Sequence, residues 1–179
     1  MSDPVLQIDT GRLTLRPPVR GDFPDSLAMW SDPEVTRFIG GRPFTHEETW
    51  ARLLRYVGHW QVLGFGYWIV RERETGRYVG EVGFADYQRD IDPPLNGVPE
   101  AGWALAPHAH GRGYATEAMR AAAQWADRRW PGAHTVCIVD PDNLLSVRVA
   151  EKSGYVQTGR ATYRGHPSLV FERRAQGAP

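Results

Sequence analysis

Two short runs of the 179-residue chain concentrate groups able to bind an anion or hold a reacting atom. In PHAHGRGYATEA, Gly111 and Gly113 precede a stretch with helical spacing. Glycines let the backbone approach a ligand, and a helix's first turn offers unpaired N–H groups at the positive end of its dipole. This reads as an anion site, with Arg112 adding a cation suited to phosphate oxygens. Glycine spacing alone also fits a plain tight turn. His108 and His110 form a His-x-His pair, but without a nearby cysteine or a third spaced carboxylate no metal site is expected. The second run, PDNLLSVRVAEKSGY, sets Asn143 and Ser146 at the start of a short helix that Asp142 or Asn143 can cap and Gly154 ends.

A dinucleotide-binding unit is the rival reading of the first run. Gly111-x-Gly113 follows a strand-like stretch, and Asp140 closes the next one. The third glycine position is Thr116, however, and a Walker-type phosphate loop is absent because the single lysine is Lys152.

The elements that must position these runs follow from periodicity. AGWALAP reads as a buried strand, GRGYATEAMRAAAQWADRRW as a helix with Ala115, Ala118, Met119 and Ala122 on one face, and HTVCIVD as a second buried strand. Strand, helix, strand at this length implies a right-handed parallel crossover. Upstream, Arg12 to Val19 alternates as a half-buried strand stopped by Pro17 and Pro18. Short proline-broken helical turns come next. THEETWARLLRYVGHWQVLG is then a helix with a Thr45/Glu48 capping box, a stripe of Trp50, Leu53, Leu54, Val57 and Trp60 or Gln61, and a stop at Gly64. Gly66 to Arg71 and Arg77 to Tyr87 form an antiparallel hairpin around Glu74-Thr75-Gly76. QRDIDPPLNGVPE is a loop, and two strands, Tyr155 to Arg164 and Ser168 to Arg173, close the chain. The predicted fold is α/β, a mixed sheet with an antiparallel N-terminal half that turns parallel at AGWALAP.

Composition limits the function. The length suits one domain, residues 1 to 179 with a core from about 12 to 173. Basic and acidic side chains number 21 each, so no long-range positive field draws the chain to nucleic acid or an anionic membrane. Cys137 is the only cysteine, which excludes an intrachain disulfide and a thiolate cluster. With no targeting pattern at the start and no apolar run of membrane-spanning length, a cytoplasmic location is expected.

HGRGYATEA resembles the acetyl-coenzyme A signature of the GNAT N-acetyltransferase superfamily, Arg/Gln-x-x-Gly-x-Gly/Ala, with Gly113 and Ala115 on its last two specified positions. DNLLSVRVAEKSGY resembles the second cofactor motif, Asn-x-x-Ser followed by Glu-Lys-x-Gly-aromatic. TLRPP, TGRYVGEVGF and EAGWALAP resemble the branch of ribosomal-protein N-terminal acetyltransferases. The resemblance implies acetyl-coenzyme A as cofactor and a cleft between splayed parallel strands. Amides from Gly111 through Arg112, Gly113 and Tyr114 to Ala115, with Thr116, would hold its pyrophosphate. The thiol arm would pair with the strand edge, and a backbone N–H between Trp103 and Leu105 would face the thioester oxygen. Asn143 would bond that arm, or simply cap its helix. His110 stands where the signature has Arg or Gln, and so loses bidentate reach toward phosphate. Ala150 stands where many members carry a tyrosine acid. Ser146 is then the hydroxyl left to bond the thiolate, with proton delivery through water.

The implied reaction is direct attack by a primary amine, from a peptide N-terminus or a small molecule. That amine arrives as ammonium, so a base must take a proton. Glu100 is the first choice, Glu81 the second, with water as an intermediary. Cys137, in an apolar run, packs as a core residue rather than forming an acyl-enzyme. Trp30, Phe38, Tyr67, Trp68, Trp103 and Tyr163 are candidates to line the acceptor pocket. Homodimerisation is a family-level expectation. The alternative function is a catalytically silent acyl-coenzyme A binding module.

Overall fold

The computed structural model of the chain describes residues 6–175 apart from 131 and 133. The alternating Leu13 and Leu15 are both fully buried in β2 (Leu13–Arg16), which pairs with the two-residue β1 (Ile8–Asp9). β3 (Tyr67–Glu72) and β4 (Tyr78–Ala85) make the expected hairpin, turning at Gly76 with φ +70°. β6 (Glu100–Leu105) and β7 (His134–Val139) flank the long helix, and β8 (Val156–Tyr163) and β9 (His166–Arg174) end the chain. The proline-rich stretch expected to be wholly loop contributes β5 (Ile91–Asp92), which pairs with Tyr163 and Thr162. Its partners lie some seventy residues downstream, so no local pattern announces it.

The sheet runs β1-β2-β3-β4-β6-β7-β9-β8-β5, and every neighbouring pair is antiparallel except β6 with β7. That parallel pair has a single register partnership, Glu100 with Val136, reinforced by the Val136 N–H donating to the Pro99 carbonyl at 3.1 Å. By contrast, β4 pairs with β6 along Gly80 to Ala85, and β7 with β9 along its whole length. From Glu100 onward β6 and β7 diverge into a V.

Helices cover both faces. On one lie α1 (Phe23–Trp30), α2 (Pro33–Thr36) and α3 (His46–Leu63). On the other lie α4 (Tyr114–Arg129) and α5 (Leu144–Lys152). Thr45 and Glu48 cap α3 reciprocally, and Gly64 ends it at φ +72°. Its buried stripe is Thr49, Leu53, Tyr56 and Trp60, with Leu54 half exposed. The helix is turned from the expected face because the Tyr56 ring stacks flat on Tyr67, with centroids 4.5 Å apart. Alanines at 118, 122 and 126 let α4 approach the sheet closely, against a core where Trp60, Trp68 and Trp125 meet edge to face. Such aromatic pairs add about 1 kcal/mol each beyond area burial. Among the described residues, no helix is long and apolar enough to cross a membrane.

Alternation along β6 assigns its side chains. Ala101, Trp103 and Leu105 pack with the α4 core, while Ala104 packs with Met29, Trp30 and Ile69. Glu100 and Gly102 therefore share the α1–α3 face with Ala104.

Candidate active site

The mouth of the V is closed by the turn that leads into α4. After a 3-10 turn at Pro107–Ala109, Gly111 and Gly113 take φ of +72° and +74°, and Gly113 is the N-cap of α4 without any side-chain cap. An added Cβ would meet nothing at Gly111 and only Arg12 Nη2, at 3.6 Å, at Gly113. The left-handed backbone, not lack of space, is what asks for glycine. Among the described residues, none of the amides from Gly111 to Thr116 donates to a protein acceptor. Six donors at one helix start make a cradle for a phosphate-type anion.

The cations of this turn are committed elsewhere. Arg112 Nη1 donates to Glu72 at 2.6 Å, and its guanidinium lies 4.6 Å from the Tyr114 ring centre. Tyr114 also donates to Glu72 at 3.1 Å, and Arg12 donates to the Arg112 carbonyl at 2.9 Å. Hydrogen bonds from Thr75 above all, with Tyr114 and Arg112, outweigh burial and hold the Glu72 carboxyl below its ordinary pKa. His110 Nε2 sits 2.8 Å from the Leu105 carbonyl and Nδ1 3.4 Å from Glu34. Arg112 and His110 thus brace the loop from outside, and the amides and helix dipole stand free beside them. Beside the turn, Gly113 and Thr116 open on a depression of about 770 Å³ whose basic lining is Arg12, Arg120, Arg128 and Lys152.

Trp103 and Ser146 stand across the V on the α4 side, with the indole N–H donating to Ser146 Oγ at 3.3 Å. This places Trp103 on the α4 and α5 face, opposite the Tyr67 and Trp30 with which the sequence grouped it. Asn143 Oδ1 accepts the Ser146 N–H at 3.1 Å, the capping role, and its Nδ2 has no protein partner among the described residues. One turn on, Ala150 is fully buried. Leu144 is 62% exposed because the stripe of α5 runs through Val147 and Ala150.

On the opposite face the two carboxylates differ. Glu81 is buried and held by three donors, accepting from Ser26 at 2.5 Å, Tyr78 at 3.0 Å and Trp30 at 2.9 Å. That set ties α1 to the sheet and fills three of the four carboxylate lone-pair positions, leaving one on Oε2. Glu100 lies at the vertex of the V, clasped by Arg89 Nε and Nη2, each at 2.7 Å. The Arg89 guanidinium is itself 4.7 Å from the Tyr163 ring centre and 4.4 Å from that of Tyr87.

Tyr67 backs onto β6 so closely that a Cβ on Gly102 would lie 1.9 Å from its hydroxyl. Burial drives the Tyr67 phenol well above its usual pKa, so it stays neutral. Tyr56 stacks on Tyr67 and accepts from Arg52 Nη1 at 3.0 Å. The Arg52 guanidinium lies 4.0 Å from the centre of Trp30, which stacks on Phe44. Arg52 thus links Trp30 to the Tyr56–Tyr67 stack. Phe38 meets Arg37 instead, at 5.1 Å. Trp68 is on the other face, fully buried beside Trp125 with its N–H on the Leu6 carbonyl. Cys137 is buried in β7, where desolvation first and Glu100 second push its thiol pKa up.

Sequence reasoning missed Arg52, Arg89 and Tyr56. Arg89 sits in an irregular segment with no period to betray it. Arg52 did leave a signal, a charge between Thr49 and Tyr56 on the buried stripe.

Comparison with known proteins sets this geometry in a family. The family described as Acetyltransferase (GNAT) domain matches residues 12–156. A putative GNAT-family acetyltransferase from Bordetella pertussis superposes with a TM-score of 0.82 at 31% identity, covering 93% of this chain and 98% of its own. Protein YkkB of Bacillus subtilis (strain 168) is 30% identical over 112 residues, and that match spans only 63% of each chain. Spermidine N-acetyltransferase from Vibrio cholerae, solved with coenzyme A and spermine, has a TM-score of 0.71 at 17% identity over 93% of this chain and 97% of its own, a likeness of fold alone.

Proposed function

The chain belongs to the GNAT acetyltransferase family, and on that premise we propose that it is an acetyl-coenzyme A-dependent N-acetyltransferase acting on a primary amine, from a protein N-terminus or a small molecule. We read the whole chain as one such domain working in the cytoplasm. One observation carries the reading: six unclaimed amides stand at the mouth of a cleft whose two walls share a single register pair.

When bound, acetyl-coenzyme A supplies an acetyl thioester. The amides from Gly111 to Thr116 bind its diphosphate, needing no help from Arg112 or His110. The unpaired edges of β6 and β7 receive the thiol arm as a missing strand, and Asn143 Nδ2 offers that arm a donor. A backbone N–H between Trp103 and Leu105 meets the thioester oxygen as negative charge develops there. Ser146 accepts from Trp103 and keeps its own O–H for the departing thiolate. The amine enters from the α1–α3 face and attacks the carbonyl carbon directly. The ammonium would first give one proton to Glu100 or water; the C–N bond would then form as the C–S bond breaks, and the nitrogen's second proton would reach the departing thiolate through water.

The second reading, a silent acyl-coenzyme A binding module, is favoured by Ala150 in the tyrosine position and by the Arg89 clasp on Glu100. One experiment separates the two. The protein is mixed with acetyl-coenzyme A and a panel of amines and N-terminal peptides while free thiol is titrated. Thiol release that depends on an amine supports the transferase. Cofactor binding without turnover on any acceptor supports the module.

A further inference from the structure

We propose that the acceptor amine carries a carboxylate, received by the Nε and Nη2 edge of Arg52 on the α1–α3 side of the cleft. The inference rests on the transferase reading above and narrows its substrate.

Five arginines are half-buried among the described residues. Four hold carboxylates: Arg16 and Arg71 on Asp22, Arg89 on Glu100, and Arg173 on Asp127. Arg52 holds none. Its Nη1 donates to Tyr56, its Nε is buried without a partner, and its Nη2 makes no protein hydrogen bond. The guanidinium edge left over is the one that carries two parallel N–H groups, the edge Arg89 uses to clasp Glu100. A partly desolvated guanidinium with that edge vacant is suited to a planar anion that brings two oxygens.

Position ties the vacancy to the acceptor. From Gly102 on the cleft wall, Tyr67, Tyr56 and Arg52 follow in direct contact, so the guanidinium lies two rings from where the amine attacks. The rings of Trp30 and Phe44, 4.0 and 4.8 Å from the guanidinium carbon, hold it in place from the other side. The buried carboxylates on this face are already taken, Glu81 by three donors and Glu100 by Arg89. A polyamine would therefore find two guanidinium groups and no open carboxylate. An amine with its own carboxylate finds the reverse.

The test uses the full chain with acetyl-coenzyme A and acceptors in matched pairs: free amino acids against their amides, and tripeptides with Glu or Asp at the second or third residue against Gln or Asn. Spermidine is the polycation control. The carboxylate member of a pair is expected to have a kcat/KM about tenfold higher or more, as for a charged hydrogen bond lost. Arg52→Gln should erase that advantage, and Arg52→Lys should keep part of it. Comparing free amino acids with peptides tells a metabolite from an acidic N-terminus. Equal rates within pairs, an advantage that survives Arg52→Gln, or preference for spermidine overturns the inference while leaving the transferase intact. Should no acceptor turn over, the transferase reading fails instead. Calorimetric binding of the same pairs to the coenzyme A complex, wild type against Arg52→Gln, then decides whether Arg52 receives a carboxylate.

Discussion

The indole N–H of Trp103 reaches Ser146 Oγ across the divergence of β6 from β7, at 3.3 Å. A hydroxyl that accepts from an indole has its hydrogen left to give, and no protein acceptor takes it among the described residues. Ser146→Ala should therefore lower kcat about ten- to hundredfold with KM for acetyl-coenzyme A little changed. Trp103→Phe, which removes only the orienting donor, should lower kcat less. Steady-state kinetics on both variants checks this, and an effect confined to KM would make the pair a binding element.

Gly111 and Gly113 are held at positive φ with room around both. Alanine at either position should cost about 1–2 kcal/mol of backbone strain, seen as roughly a tenfold rise in the Kd for coenzyme A by calorimetry. Unchanged affinity in both variants would mean that the turn does not hold the diphosphate.

Glu100 meets the amine only if Arg89 shares it. Glu100→Gln should reduce kcat/KM about 100-fold in steady-state kinetics. A variant as active as wild type assigns the proton to water.

Asp22 is buried, and burial pushes its pKa up, but donors from Arg16, the Val19 amide and Arg71 prevail and hold it below the ordinary value. A depressed folded pKa contributes stability above the unfolded value of about 4, and that stability is lost as pH falls through the folded value. Asp22→Asn should cost about 3 kcal/mol at pH 7, and the gap to wild type should narrow below about pH 4. Urea unfolding across that range measures it.

Burial makes Cys137 a poor nucleophile. Thiol reagents at pH 8 should label it only after unfolding, and Cys137→Ala should retain activity. An acetylated enzyme detected by mass spectrometry would restore the covalent route.

The strands and helices around the cofactor turn were legible because each leaves a local mark. Gly76 marks the hairpin, Thr45 and Glu48 the start of α3, and the alanine face of α4 its contact with the sheet. The resemblance assigned Gly111, Gly113, Asn143 and Ser146 to the cofactor, and the fold sets Gly113 at the start of α4 and Asn143 and Ser146 at the start of α5. What the sequence hid depends on distant partners. Nothing in GYWIV tells that Trp68 faces α4 while Tyr67 faces α3, since either ring is content in a core. Nothing local tells that Arg112 pairs with Glu72 or that His110 sits on the Leu105 carbonyl. Arg89 and Glu100 are eleven residues apart in a stretch without period, so only the fold could join them.

A sheet stitched at one rung is two leaves, and the seam between them runs through the middle of the fold. Saturation with coenzyme A at 100 times its Kd would add about 2.7 kcal/mol by mass action, closing that seam. The protein's lifetime against a protease should then lengthen as coenzyme A is titrated in, so that its abundance in a cell follows the supply of its own cosubstrate.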